Sequence, residues 1–166
     1  MPFHQLYYHF IWATRNRLPL LTAEVEPVIH GFLWAKAVGL GAHVYALNGT
    51  EDHMHLVVAV PPTIALSKFI GQIKGVASTR FNKSGLSEKP FFWQEEYGVL
   101  SFDAKRLPNY IAYVNRQKEH HASQTLIAAL ERSAALEDRA IHEPTVDCEV
   151  EPAPEGALGS GTDRSG

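Results

Sequence analysis

Hydrophobic residues along the chain fall into alternating two-residue and helical periods, and their order predicts the fold. Residues 3–14 are dense in β-formers. Leu6, Tyr8, Phe10 and Trp12 alternate with Gln5, Tyr7, His9 and Ile11, which predicts a first strand. After the basic turn Arg15-Asn16-Arg17, Thr22 is placed to cap a helix, with Glu24 and Glu26 favourable against the positive end of its dipole. Pro27 fits only within that helix's first turn. Val28, Phe32, Leu33 and Ala35 form its expected apolar face, and Gly39 and Gly41 end it.

Residues 43–47 predict a second strand and residues 53–60 a third, Val-rich strand stopped by Pro61-Pro62, neither of which can donate to a sheet ladder. Asn48-Gly49 between them is expected to supply the positive φ angles of a hairpin turn. Thr63 is expected to cap a second helix to about residue 82, with Leu66, Phe69, Ile70, Ile73, Val76 and Ala77 at helical spacing. Residues 91–102 predict a fourth strand, interrupted around Glu95-Glu96, with Trp93 and Trp12 in the core. A third helix over 107–121 and a fourth over 123–139 complete the series.

This order, β-α-β-β-α-β, predicts an α+β fold on the ferredoxin-like or RRM-like plan: an antiparallel sheet backed by helices, followed by a C-terminal helix able to carry chemistry. One domain spans residues 1–141. Residues 142–166 are acidic, rich in Pro and Gly and nearly devoid of large apolar side chains, so they read as a disordered tail.

Charge sharpens that division. Residues 1–130 hold twelve Lys/Arg against nine Asp/Glu, a net +3, and residues 131–166 three against nine, a net −6, which together give the overall −3. The weakly basic body suits an anionic partner. The single cysteine, Cys148, excludes an intramolecular disulfide and a cysteine-built metal site. No run of eighteen apolar residues is present, and the N-terminus lacks a basic-then-apolar signal, so a soluble cytoplasmic protein with no membrane partner is expected.

Two short stretches carry candidate chemistry. In Asp52-His53-Met54-His55, strand periodicity sets the two imidazoles side by side, able to turn ring nitrogens towards one divalent cation. Asp52 can accept a ring N–H and fix a tautomer. An isolated pair of this kind is more often just a polar strand end. Downstream, Tyr113 and Gln117 lie four apart on the expected third helix and share a face, beside a buried stripe of Leu107, Tyr110, Ile111 and Val114. His120 and His121 read as a solvent-facing helix end in preference to groups that support the metal ligands from behind.

Taken together and in this order, the two stretches resemble the single-tyrosine HUH transposases of the insertion-sequence 200/605 type. These move insertion sequences as single-stranded DNA, and relatives act on repetitive extragenic palindromes. The resemblance extends to Tyr8-His9-Phe10-Ile11-Trp12-Ala13-Thr14-Arg15, to residues 66–75, and to Phe92-Trp93-Gln94 with Tyr97-Gly98. It covers about residues 3–125 and implies roles for individual positions. His53, His55 and Gln117 would be ligands of Mg²⁺ or Mn²⁺, and Tyr113 the nucleophile that forms a 5′-phosphotyrosine. It implies a homodimer in which the histidine pair of one subunit is completed by the Tyr113 helix of the other. Arg15, Arg17, Lys74, Arg80 and Lys83 are the candidate contacts to hairpin-bearing single-stranded DNA. Two further readings stay open: a related enzyme that processes extragenic palindromes, and a catalytically idle module stacking bases on Tyr7, Phe10 or Trp12.

Overall fold

The structure, a computed structural model, describes residues 3–123; the expected helix over 123–139 and the acidic tail lie outside the described residues, apart from Ser123. The elements are β1 (Tyr7–Ala13), α1 (Glu26–Gly39), β2 (His43–Gly49), β3 (His53–Ala59), α2 (Leu66–Ser84), β4 (Gly98–Phe102), α3 (Leu107–Asn115) and α4 (Gln117–Ser123). The four strands form one sheet in the order β2-β3-β1-β4, with every neighbouring pair antiparallel. This is the expected β-α-β-β-α-β arrangement of an α+β fold, with two helices added after β4.

Both faces of the central strands are covered, which is why β1 and β3 read as nearly continuous apolar runs. On one face Phe10 and Trp12 of β1 and Met54, Leu56 and Val58 of β3 meet Ile29, Leu33 and Ala37 of α1 and Phe69, Ile70, Ile73, Ala77 and Phe81 of α2. Each fully buried large side chain there stabilises the fold by roughly 2–3 kcal/mol. Trp93 joins this core beside Trp12, as its sequence context suggests. On the other face, Tyr113 and Val114 of α3 pack with Ala46, Val57 and Phe102. Alternation places His9 on that second face with His53 and His55, and the pairing of Ala13 with His53 and Ile11 with His55 fixes their height along it.

That covering withdraws two of the three candidate base-stacking residues from the surface. Phe10 and Trp12 are fully buried on the α1/α2 side, and Tyr7 packs against the α3 side through Tyr45 and Phe102. Tyr7 and Tyr45 themselves stay half-buried, beside the exposed His43.

Several boundaries differ from expectation. β1 begins at Tyr7, and Phe3 is 86% exposed. Thr22 belongs to a turn ahead of α1, where its carbonyl accepts the Val25 and Glu26 amides, while Pro27 falls in the first turn as required. The buried stripe of α1 is Ile29-Leu33-Ala37, one position round from the expected face, so Ala35 is exposed. α2 starts at Leu66 with Ala65 rather than Thr63 at its N-cap, and no side chain caps it. Gly85, at φ 70°, ends α2 in the left-handed conformation that glycine adopts at no steric cost.

The hairpin differs in an instructive way. Asn48 and Gly49 lie within β2 and neither has a positive φ; the turn itself is Thr50-Glu51-Asp52, closed by the Thr50 amide donating to the His53 carbonyl at 3.0 Å. Gly49 is needed for close approach instead. A Cβ there would lie 2.2 Å from the His53 carbonyl oxygen and 2.9 Å from the Met54 sulfur. Gly49→Ala is therefore expected to spring the hairpin apart. In a denaturant titration it should cost more than about 2 kcal/mol, well above an ordinary strand Gly→Ala exchange; a change within 0.5 kcal/mol of zero would contradict this account.

Candidate active site

β3 delivers both histidines to the second face of the sheet, where His53 is 3% and His55 0% exposed. Each is held through Nδ1. The Asp52 carboxylate accepts from His53 Nδ1–H at 2.6 Å, and Thr50 Oγ1 supports the same carboxylate at 3.1 Å. Partial burial pushes the Asp52 carboxyl up, but the hydrogen bonds from His53 and Thr50 and the charges of His53 and Arg17 outweigh it and hold the group below the usual carboxylate range. Asp52 thus fixes the His53 tautomer as expected, leaving Nε2 as the ring atom that can face a cation.

His55 has a partner that the spacing of its own motif does not reveal. His9 of β1 lies 2.9 Å away, Nε2 to Nδ1, with the rings 5.1 Å apart and nearly parallel. For His55 to present Nε2 to a metal it must carry its proton on Nδ1, so His9 accepts there and keeps its own proton on Nδ1. The signal was available in the sequence: a histidine on the inner face of a strand dense in aromatics, at a register two residues from that of His55.

The third helix is not continuous. α3 ends at Asn115 and Arg116 leaves the helical region (φ −99°, ψ 16°); α4 restarts at Gln117. Tyr113 and Gln117 are therefore four apart in sequence but on different helices. The joint is tied to the hairpin by Asn48, whose amide donates to the Asn115 carbonyl at 3.1 Å. The roles of the two neighbouring tyrosines also exchange. Tyr113 is the buried one, at 5% exposure, with its ring 6.2 Å from and nearly perpendicular to that of His55. Tyr110 is only half-buried, stacked on Phe102 at 3.9 Å.

α4 carries Gln117, which is fully buried, and one turn later His121, which is half-buried rather than solvent-facing. The His121 ring lies 4.6 Å from that of His53. α4 is fastened to the start of α1 by Lys118, whose ammonium donates to both Glu26 carboxylate oxygens at 2.7 and 2.9 Å. A cavity of about 540 Å³ opens beside the cluster, with Arg17, Glu26, Thr50, Asp52, Lys118 and His121 among its walls.

The five basic candidates divide. Arg17 reaches the site, 3.6 Å from Asp52, on a turn where it and Asn16 both have positive φ, 50° and 54°. Such a conformation costs a residue with a side chain about 1–2 kcal/mol. Arg15 is exposed next to it, its guanidinium 4.7 Å over the Phe92 ring. Arg80 and Lys83 are exposed on α2, across the sheet from the histidines. Lys74 is a correction: it is buried, and its ammonium donates to the carbonyls of Gln94, Glu95 and Glu96 at 2.7, 2.9 and 3.3 Å. It ties down residues 94–96, which lie ahead of β4 where the sequence suggested a strand from residue 91, and its ammonium is turned away from a phosphate. Burial pushes its pKa down to about 8, against the Glu96 and Glu95 carboxylates, which raise it.

A family model described as "Transposase IS200 like" matches residues 2–117. The ISDra2 transposase TnpA of Deinococcus radiodurans is 26% identical over 121 residues, covering 70% of this chain and 86% of that protein. A crystallised Deinococcus radiodurans R1 protein assigned as a transposase superposes with a TM-score of 0.57 at 26% identity, covering 70% of this chain and 93% of its own. A REP-associated tyrosine transposase bound to a REP hairpin shares the fold, with a TM-score of 0.55 at 17% identity over 73% of this chain and 74% of its own.

Lys74→Met should lower the thermal midpoint, because the carbonyls of residues 94–96 lose their common donor. The expected cost is about 1–3 kcal/mol by chemical denaturation. An unchanged midpoint would return Lys74 to the surface contacts.

Proposed function

The chain belongs to the IS200-like transposase family, and from that premise we propose that it cleaves and rejoins single-stranded DNA at hairpin-bearing ends, with Tyr113 as nucleophile. The observation that carries this reading is the packing of the Tyr113 ring against His55 on the same sheet face as His53. The residues fit a divalent cation: His53 and His55 would present Nε2 from Nδ1-anchored rings, and Gln117 would add an amide oxygen. A bound Mg²⁺ or Mn²⁺ would supply Lewis-acid polarisation of the scissile phosphate and offset charge in the transition state.

The remaining steps belong to the chain itself. Tyrosine has an unperturbed pKa of about 10, so the hydroxyl must lose its proton as it attacks. The Tyr113 oxygen bonds to phosphorus, the bond to the 3′ oxygen breaks, and that oxygen leaves as a 3′-hydroxyl with a proton. The 5′-phosphotyrosine conserves the bond, so a second 3′-hydroxyl can reverse the step with no nucleotide cofactor. Arg17 and Arg15, beside the site, position the strand by its phosphates.

Homodimerisation with shared sites is part of the proposal. One chain already sets Tyr113 against its own His55, and exchange of α3 and α4 between two copies would make the same contact across the interface. The protein would act in the cytoplasm, on nucleoid DNA; no helix among the described residues is long and apolar enough to cross a membrane. Processing of extragenic palindromes is the second reading, supported by the hairpin-bound neighbour in fold.

Tyr113→Phe removes only the attacking oxygen. It should abolish the covalent adduct with a labelled hairpin strand on a denaturing gel while retaining the hairpin in gel-shift. Tyr110→Phe should cost about 1 kcal/mol and still form the adduct. Survival of the adduct in Tyr113→Phe with loss in Tyr110→Phe would overturn the assignment.

Mixing inactive His55→Ala and Tyr113→Phe chains tests sharing. Random exchange predicts recovery of about a quarter of wild-type cleavage if sites are completed between subunits. No recovery would mean that each chain uses its own tyrosine.

A further inference from the structure

We propose that His121 is a third imidazole ligand, making the site nitrogen-rich and selective for a first-row transition ion over Mg²⁺. The inference rests on the reading of His53 and His55 as metal ligands and adds to it a residue that the motif does not carry, and with it a choice of Mn²⁺ over Mg²⁺. One ligand atom from each of His53, His55 and His121 lies within 4.8 Å of the others, an arrangement that spans a strand and a helix 66 residues apart in sequence between the nearest two.

The geometry comes from the break at Arg116. Restarting the helix at Gln117 places Gln117 and His121 four apart on α4, hence on one face and one turn from each other. β3 offers its pair at a spacing of two and α4 offers its pair at a spacing of four. The rings of His53 and His121 are already 4.6 Å apart, inclined by 54°. Around a single ion at about 2.1 Å, imidazole nitrogens sit roughly 3 Å from one another. The ligand atoms, within 4.8 Å of one another, would need to draw in to that spacing on one ion. The orientation of α4 does not depend on the ion, because Lys118 clamps the Glu26 carboxylate of α1 through two short hydrogen bonds.

The donor set then decides the metal. Mg²⁺ requires a near-ideal octahedron of oxygens and gives up water reluctantly. Three imidazoles and one amide oxygen suit Mn²⁺, and in rising affinity Fe²⁺ and Co²⁺. Asp52 accepts the His53 Nδ1–H and so holds that ring in place with Nε2 as the ligand atom.

Mn²⁺ is the probe for the test, since its room-temperature EPR signal reports the unbound ion. The full chain, His121→Ala and His53→Ala would each be titrated, with thermal melts to verify folding. The wild type should bind Mn²⁺ about tenfold or more tightly than His121→Ala, and a hundredfold excess of Mg²⁺ should displace Mn²⁺ from the variant but little from the wild type. Pulsed EPR of the wild-type complex should count three coupled imidazole nitrogens, and this holds whether or not the variant folds. Equal affinities for wild type and His121→Ala, or only two coupled imidazoles, would overturn the proposal; weakened binding in His53→Ala would then leave the two-histidine site standing. Wild-type affinity in His53→Ala as well would remove both.

Discussion

Antiparallel pairing of β1 with β3 is the interaction on which the rest depends. These two strands are central, and each must bury side chains on both faces. One face is satisfied by ordinary apolar packing under α1 and α2. The other is satisfied by a mixture: His9, His53 and His55 on the strands, and Tyr113, Val114 and Gln117 from the segments that cover them. A buried polar group needs a partner, and here the partners are one another and Asp52. Shifting β3 by one residue against β1 would send His53 and His55 into the α1/α2 core and Met54, Leu56 and Val58 to the site. Fold and site are specified by the same pairing.

Period-two and period-four patterns made the strand order, both main helices and the His53–His55 pair legible in the sequence. So was the part played by Asp52, because a carboxylate next to a histidine on a strand has few other uses. Less was visible where the explanation lay in distant contacts. The interruption of the third helix has no glycine or proline to announce it; residues 107–121 read as one amphipathic helix. The break is held by a tertiary hydrogen bond, Asn48 to the Asn115 carbonyl, which no local pattern encodes. Lys74 looked like its neighbours on α2, and only the path of residues 94–96 shows it to be an internal donor. The same reasoning explains Gly49: its role follows from the carbonyl of His53 crossing in front of it, not from its own backbone angles.

Tyr110 and Tyr113 differ by a small rotation about the axis of α3 that decides which of them is buried. A stripe centred on Tyr110 would leave Tyr113 at the border of the core. In the structure the stripe centres on Tyr113 and Val114, and Tyr110 lies towards the edge, against Phe102. The candidate nucleophile is thus shielded by the packing that positions it. Water is kept from its ring, and the ring is fixed relative to His55, which suits chemistry that must not be intercepted by hydrolysis.

The joint at Arg116 has a mechanical consequence. It places Tyr113 on one short lever and Gln117 with His121 on another, meeting at the carbonyl that Asn48 holds. On an unbroken helix, any tilt of the tyrosine would drag the residues one turn on with it. With two levers, the position of Tyr113 is set by the packing of α3 on the sheet, and that of the α4 side chains by the Lys118 contact to α1. The two levers are positioned separately because a single residue, Arg116, lies outside the helical region.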